Sequence, residues 1–481
     1  MSPDTLGKIA VRGVGFLTIL TFVKKVIGIG RNVVLARLLA PEDFGLLALA
    51  MVLIEGMDSL TSVGIDKYLI QKEHIDNTVI GNVWLLNIIR GVLLTLLALA
   101  ICPLYSRLVN EPATLRVLWI VAFIPLLEGV KNPCSIIAER KIQLEKISIY
   151  ETICAVLEVT VLVVLVWFIR DAVALAWGLL FGHFLSTLLS YFFFPLPKTM
   201  KFDLSRQLEM LSVAKHFAII SVGGLIMTQG DNLIIGALNG SEVLGYYVIA
   251  YQLAVFPIQF LQDITNRVAL SVFSSLQLNK ERLRVVLVDV IQIQMAVLIP
   301  FIIVTGVFSH ELITMLYGDQ WASSSSVLQA LMLVTLGRGV THVCVPYIIG
   351  TGAFSFASRI KFVETLIFLI SVYIGTLYFG LIGAALGAGI GYMVAGIGRL
   401  IFMCRDAELS FFRTVSYMLF PAAAVIPGVL IAQIFANTVT WNKIVETIVL
   451  LCIVCISYAG FSFFIQRNLK DILFQKVLRS R

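Results

Sequence analysis

Apolar stretches of some twenty residues follow one another along the 481-residue chain, separated by short clusters of charge, Pro and Gly. About 20 apolar residues cover the hydrocarbon core of a bilayer as a helix. Backbone amides in hydrocarbon must be satisfied within their own segment, so runs this long read as helices. The pattern predicts spans near 14–38, 43–65, 79–104, 115–138, 147–169, 172–195, 213–238, 243–275, 284–308, 326–350, 360–379, 381–404, 415–436 and 444–465. That is fourteen.

The polar segments between the spans test this count. With a cytoplasmic N-terminus, the inner segments carry 23 Lys and Arg, among them Lys8, Arg12, Lys280, Arg282, Arg284 and Arg359. The outer segments carry 5: Arg37, Arg107, Arg116, Arg170 and Lys443. A missed span would scramble the alternation beyond it, so the bias predicts an even count and cytoplasmic termini in the inner membrane. The run after Lys8 and Arg12 is interrupted by Lys24 and Lys25 and is followed by no small-residue cleavage site, so the first span is expected to be retained.

An internal repeat organises the spans. Residues 31–50 (RNVVLARLLAPEDFGLLALA) align without gaps on 231–250 (DNLIIGALNGSEVLGYYVIA), sharing Asn32/Asn232, Leu38/Leu238, Glu42/Glu242, Gly45/Gly245 and Ala50/Ala250. Both copies describe a helix, a tight external turn and the next helix. Six spans separate them, so they run the same way through the membrane, as in parallel-repeat transporters. The expected fold is an all-α polytopic membrane protein of two six-helix lobes plus two C-terminal helices. Its boundaries are 1–212, 213–407 and 408–481.

Composition narrows the function. The chain is 59% hydrophobic and only 14% charged, whereas soluble domains carry about 25% charged residues. That excludes a cytosolic enzyme or a nucleic-acid binder, and the net charge of +7 reads as loop charge. The longest loops, 308–325 outside and 196–212 inside, fall well short of the about 50 residues an independent catalytic domain needs. No phosphate-binding, nucleophile-elbow or zinc-protease motif lies outside the spans. Cys452 and Cys455 sit in a span without a second pair, and the five histidines lack ligand spacing, so no metal or cofactor is expected. Moving something across the bilayer, without enzymatic chemistry, is what remains.

Ionisable groups inside spans are costly and mark functional sites by default. Lys24, Lys25, Arg90, Lys131 and Arg338 fall near mid-bilayer, while Arg267 and Arg399 lie near the cytoplasmic ends, within snorkelling reach. Lys24 and Arg31, seven apart, share a face of the first span, with Gly28 between them to leave room. Glu128/Lys131 and Asp263/Arg267 have the spacing to pair within their own helices. The cations of spans 1, 3 and 10 read as unpaired and as the lining of one central cavity between spans 1, 2, 7 and 8. Several positive groups there call for an anion such as a phosphate or pyrophosphate. Glu55, Asp58, Glu158, Asp231 and Asp263 are candidates for charge balance or ion coupling.

Three stretches carry a family resemblance: VLARLLAPEDFGLLALA (34–50), LGYYVIAYQLAVFPIQFLQDITNRVALSVFSSLQ (244–277) and ELITMLYGDQW (311–321). They resemble the polysaccharide transporter (Wzx-type oligosaccharide flippase) family of the multidrug, oligosaccharidyl-lipid and polysaccharide exporter superfamily, in the branch of colanic-acid exporters. One position departs: where that branch has a proline soon after the arginine of span 8, this chain has Ser271. The resemblance implies alternating access by two lobes and a lipid-linked oligosaccharide substrate on polyprenyl pyrophosphate. The implied partners are membrane lipids, a polysaccharide polymerase and other biosynthesis proteins. The alternative within the superfamily is a cation-coupled multidrug exporter, which predicts an anionic cavity instead.

Overall fold

The computed structural model describes residues 20, 23–61, 77–140, 143–197, 223–275, 280–438, 449 and 458. Every extended element described is a helix. In chain order they are α1 (23–38), α2 (Pro41–Thr61), α3 (Asn77–Leu108), α4 (Thr114–Val121), α5 (Ile124–Val130), α6 (Cys134–Arg140), α7 (Leu144–Ile169) and α8 (Ala172–Phe193). There follow α9 (223–239), α10 (Ser241–Ser275), α11 (Lys280–Val307), α12 (Ser309–Tyr317), α13 (Ser324–Gly350), α14 (Phe354–Asp406) and α15 (Phe411–Thr438). The fold is that of an all-α polytopic membrane protein, and eight of the described helices are long and apolar enough to cross a bilayer. Large apolar side chains such as Leu93, Phe168 and Phe192 point outward, as lipid rather than water requires. The predicted span 444–465 lies outside the described residues apart from single positions.

One expected span and one expected loop differ in form. The run 115–138 is broken into α4, α5 and α6, because Pro125 and Pro133 supply no backbone donor. Asn132 repairs the second break. Its Oδ1 accepts from the Cys134 amide at 2.9 Å, its Nδ2 donates to the carbonyls of Ser190 (3.3 Å) and Phe194, and its own amide donates to Ser190 Oγ at 3.1 Å. The segment 308–325, expected as a loop, is mostly helical (α12 and a 3₁₀ turn at Asp319–Trp321), since Ile313, Tyr317 and Trp321 bury a common apolar face. Elsewhere among the described residues the pattern holds closely. The boundary between spans 11 and 12 falls at Gly380, whose φ of +58° interrupts the long helix α14 and suits a residue without Cβ. The helix α10 passes unbroken through Ser271, with its internal proline at Pro257.

Contacts divide the chain into two compact units: Met1–Ile249 with Thr365–Gly387, and Ala250–Glu364 with Ala388–Arg481. In the first unit α7 packs along α8, and α3 along α5. The turn between α1 and α2 is pinned by Asp43, whose carboxylate accepts from the amides of Ala40 and, at the start of α8, Ala172, each at 2.9 Å. The second copy of the turn is capped by Glu111, which accepts from the Ser241 amide at 2.7 Å. In the second unit α11 packs on α13 and α15 around a core that includes Leu287, Ile291, Met295, Cys344 and Tyr347.

Candidate functional site

Two ion pairs join α1 to α7 in the first unit. Lys24 Nζ lies 2.5 Å from Glu151 Oε2, and Arg31 Nη1 lies 3.1 Å from Glu158 Oε1. Each helix presents its two charges seven residues apart, two helical turns, so the pairs stack in register along neighbouring faces. Lys25 is half-buried. A Cβ added at Gly28 meets nothing within 4 Å, so that glycine is not needed to make room between the charges.

Arg90 on α3 reaches the end of α2. It donates to the Asp58 carboxylate, to the Asp58 carbonyl at 3.3 Å and to Thr61 Oγ1 at 2.9 Å. The expectation that cations of spans 1 and 3 are unpaired is therefore corrected. A bare cation in a low-dielectric setting is expensive, and inter-helix carboxylates supply its counter-charge.

Lys131 sits in the break after α5, 3.5 Å from Glu128 Oε2, while Glu128 Oε1 lies 2.7 Å from His183 Nδ1 on α8. His183 was missed by sequence reasoning because it has no ligand-like spacing to another histidine. Its partner is 55 residues away. The break at Lys131 did have a signal, in Pro133 two residues on. Glu128, Lys131, Glu151, Glu158 and His183 line a cavity of about 350 Å³ within this unit, walled also by Tyr150, Cys154, Ser186 and Phe194. Its charges are mixed rather than purely cationic.

The remaining candidates are placed individually. Glu55 accepts from Gln229 Nε2 at 2.5 Å, linking α2 to α9. Asp231, 2% exposed, accepts from the Tyr247 hydroxyl at 2.7 Å and from the Asn232 amide at 3.0 Å. In the second unit Arg338 donates to the Tyr251 hydroxyl at 2.8 Å and lies over the Tyr392 ring, 5.5 Å from its centroid. The side chains of Arg267 and Asp263 lie outside the described residues.

Arg399 does not snorkel. It grips Glu364 with two hydrogen bonds, 2.7 and 3.2 Å, and donates to Thr341 Oγ1 at 3.2 Å; Lys361 lies 3.3 Å from the same carboxylate. At 5% and 1% side-chain exposure, this pair is shut away from solvent. Among the described residues no three His, Cys, Asp or Glu side chains meet in a metal-holding group.

A chain of apolar helices with ion pairs across their interior fits a transporter, and sequence comparison decides which kind. The profile of a family described as "Polysaccharide biosynthesis protein" matches residues 34–326. The chain belongs to this family. That family placement agrees with the Wzx-type resemblance of the turn and span motifs. The lipopolysaccharide biosynthesis protein WzxC of Escherichia coli (strain K12) is 25% identical over 381 residues, 78% of this chain and 77% of that protein. The succinoglycan biosynthesis transport protein ExoT of Rhizobium meliloti (strain 1021) is 23% identical over 363 residues, 73% of this chain and 71% of that protein. Among solved structures, the lipid II flippase MurJ in an inward closed conformation superposes with a TM-score of 0.72 at 16% identity. It covers 94% of this chain and 99% of that one, and shows that the fold is shared.

Proposed function

We propose that this protein flips polyprenyl-pyrophosphate-linked oligosaccharide units from the cytoplasmic to the outer leaflet of the inner membrane, for surface polysaccharide synthesis, by alternating access of two lobes (1–212 and 213–407). One observation carries the reading: Lys24, Arg31, Arg90 and Lys131 are each partnered by a carboxylate among the apolar helices of one unit. Charge maintained among helices this apolar has a use, and in a polysaccharide biosynthesis family that use is a charged glycolipid headgroup. Names of relatives point the same way, since ExoT is a transport protein for succinoglycan biosynthesis and MurJ a flippase for lipid II.

On this reading the isoprenoid tail stays in lipid while the pyrophosphate and sugars cross the interior. Carrying their charge through hydrocarbon unaided is prohibitive, and fixed cations take the place of water. Lys24, Lys25, Arg31, Arg90, Lys131, Arg267 and Arg338 serve the pyrophosphate and glycan. Glu55, Asp58, Glu158, Asp231 and Asp263 balance charge or couple an ion. Both termini face the cytoplasm, no covalent chemistry occurs, and polymerase and other assembly proteins receive the product. The test is complementation of a host strain lacking its own flippase. Restored surface polysaccharide, with loss of the lipid-linked unit that accumulates on the inner face, is expected. Continued accumulation at normal protein abundance would refute the proposal.

A further inference from the structure

The ion pairs joining α1 to α7 contrast with the one buried in the second unit. Arg399 and Glu364 are bidentate and 5% and 1% exposed, which suits a permanent structural pair. Lys24–Glu151 is 24% and 47% exposed, and Arg31–Glu158 is 29% and 31% exposed, each through one contact. Pairs that open can be exchanged, because a competing anion can approach and the released carboxylate can be solvated. Glu151 and Glu158 also have somewhere to go. Both line the cavity of about 350 Å³ whose wall also carries Lys131, His183, Tyr150 and Ser186, so a carboxylate leaving α1 stays in a polar recess rather than in hydrocarbon.

We propose that Glu151 and Glu158 are displaceable counter-ions that hold the places of a pyrophosphate group on Lys24 and Arg31. In the resting protein each carboxylate neutralises its cation. When a pyrophosphate arrives, its oxygens replace the carboxylate; when it moves on, the carboxylate returns. Two cations seven residues apart on one helix stand about 10 Å apart along its axis, so they form two successive stations across roughly a third of the hydrocarbon core. Competition at each station keeps the anion from binding too tightly to leave. This inference rests on the reading that the α1 cations receive the substrate's pyrophosphate.

Inorganic pyrophosphate binding to the purified full-length protein in lipid nanodiscs, followed by titration calorimetry, tests it. Glu151→Gln and Glu158→Gln should each tighten binding about tenfold, the scale of losing one screened competing charge. The same variants should slow polysaccharide export in cells as release becomes limiting. Lys24→Ala and Arg31→Ala should weaken binding by a similar factor. If the alanine variants weaken binding but neither glutamine variant tightens it, the carboxylates merely position the cations; the exchange idea then fails while the flippase reading stands. If the alanine variants bind pyrophosphate like the unaltered protein, both fail. Should the glutamine variants elute as aggregates, Glu151→Asp and Glu158→Asp keep the charge at a shorter reach. Those are expected to tighten binding by a few-fold, and unchanged or weaker binding would overturn the proposal.

Discussion

Gly45 lies so close to Ser241 that a Cβ built on it falls 1.7 Å from the Ser241 carbonyl oxygen. The reciprocal contact exists: a Cβ on Gly245 falls 1.8 Å from the carbonyl oxygen of Pro41. Each glycine thus faces the residue four before the other, at a repeat offset of 200. A residue i meeting j′ while i′ meets j is the signature of a two-fold relation, here within one chain. The repeat seen in sequence is therefore also a packing device that joins the first turns of α2 and α10.

Gly45→Ala and Gly245→Ala should each be severely destabilising, because the obstructing atoms are backbone and cannot swing away. Overpacking costs about 1–3 kcal/mol even where side chains yield, and more is expected here. Fluorescence-detected gel filtration after heating would read this as a lower melting temperature and reduced membrane abundance. Gly28→Ala and Gly30→Ala, where an added methyl meets nothing within 4 Å, should behave like the parent in the same assay.

Removing one partner of the Arg399–Glu364 pair should cost about 3–5 kcal/mol, since it strands a buried charge. Glu364→Gln and Arg399→Met are each expected to lower abundance strongly. The double change to apolar residues of similar size should recover part of the loss, because Lys361, 3.3 Å from the same carboxylate, also loses that contact. A double variant no better than the singles would argue that the pair does more than fill its site.

Gly182 leaves room for Glu158: a Cβ there would lie 2.5 Å from Glu158 Cγ. Gly182→Ala should push this side chain off Arg31. Because the obstructing atom belongs to a flexible side chain, the fold should survive. Export is expected to fall several-fold at near-normal abundance, measured as surface polysaccharide per unit of membrane protein by immunoblot.

Interior cations and loop cations should differ in export. Lys24→Ala, Arg90→Ala and Arg338→Ala should each impair it, and Lys–Arg exchanges at these sites should retain part of the activity. Lys280 is 3.8 Å from Glu408, and both side chains are more than 60% exposed. Such a pair is worth about 1 kcal/mol at most. Lys280→Ala should therefore export normally, as should Arg359→Ala. Normal export by all three interior variants would make those cations structural.

A reporter that is active only outside the cytoplasm should be silent when fused at the C-terminus and active when fused in the 308–325 segment. The opposite pattern would contradict the charge bias of 23 to 5 between inner and outer segments.

What the sequence determined by itself was whatever depends on local hydrophobicity and on chain geometry. Span positions follow from apolar length, and the split of the long α14 helix at Gly380 follows from a residue that tolerates positive φ. The Glu128–Lys131 pair was legible because three residues bring side chains together on any helix. Tertiary structure alone decided which charges meet across helices. Lys24 and Glu151 are 127 residues apart, as are Arg31 and Glu158. The shared spacing of seven lets both pairs form once the helices are neighbours, but neighbours in space are chosen by side-chain packing, which no local pattern encodes. The same holds for His183 against Glu128 and for Arg399 against Glu364. A buried charge takes whichever counter-charge the packed helices bring within reach, so the cations of α1 and α3 that looked bare in one dimension are neutralised in three.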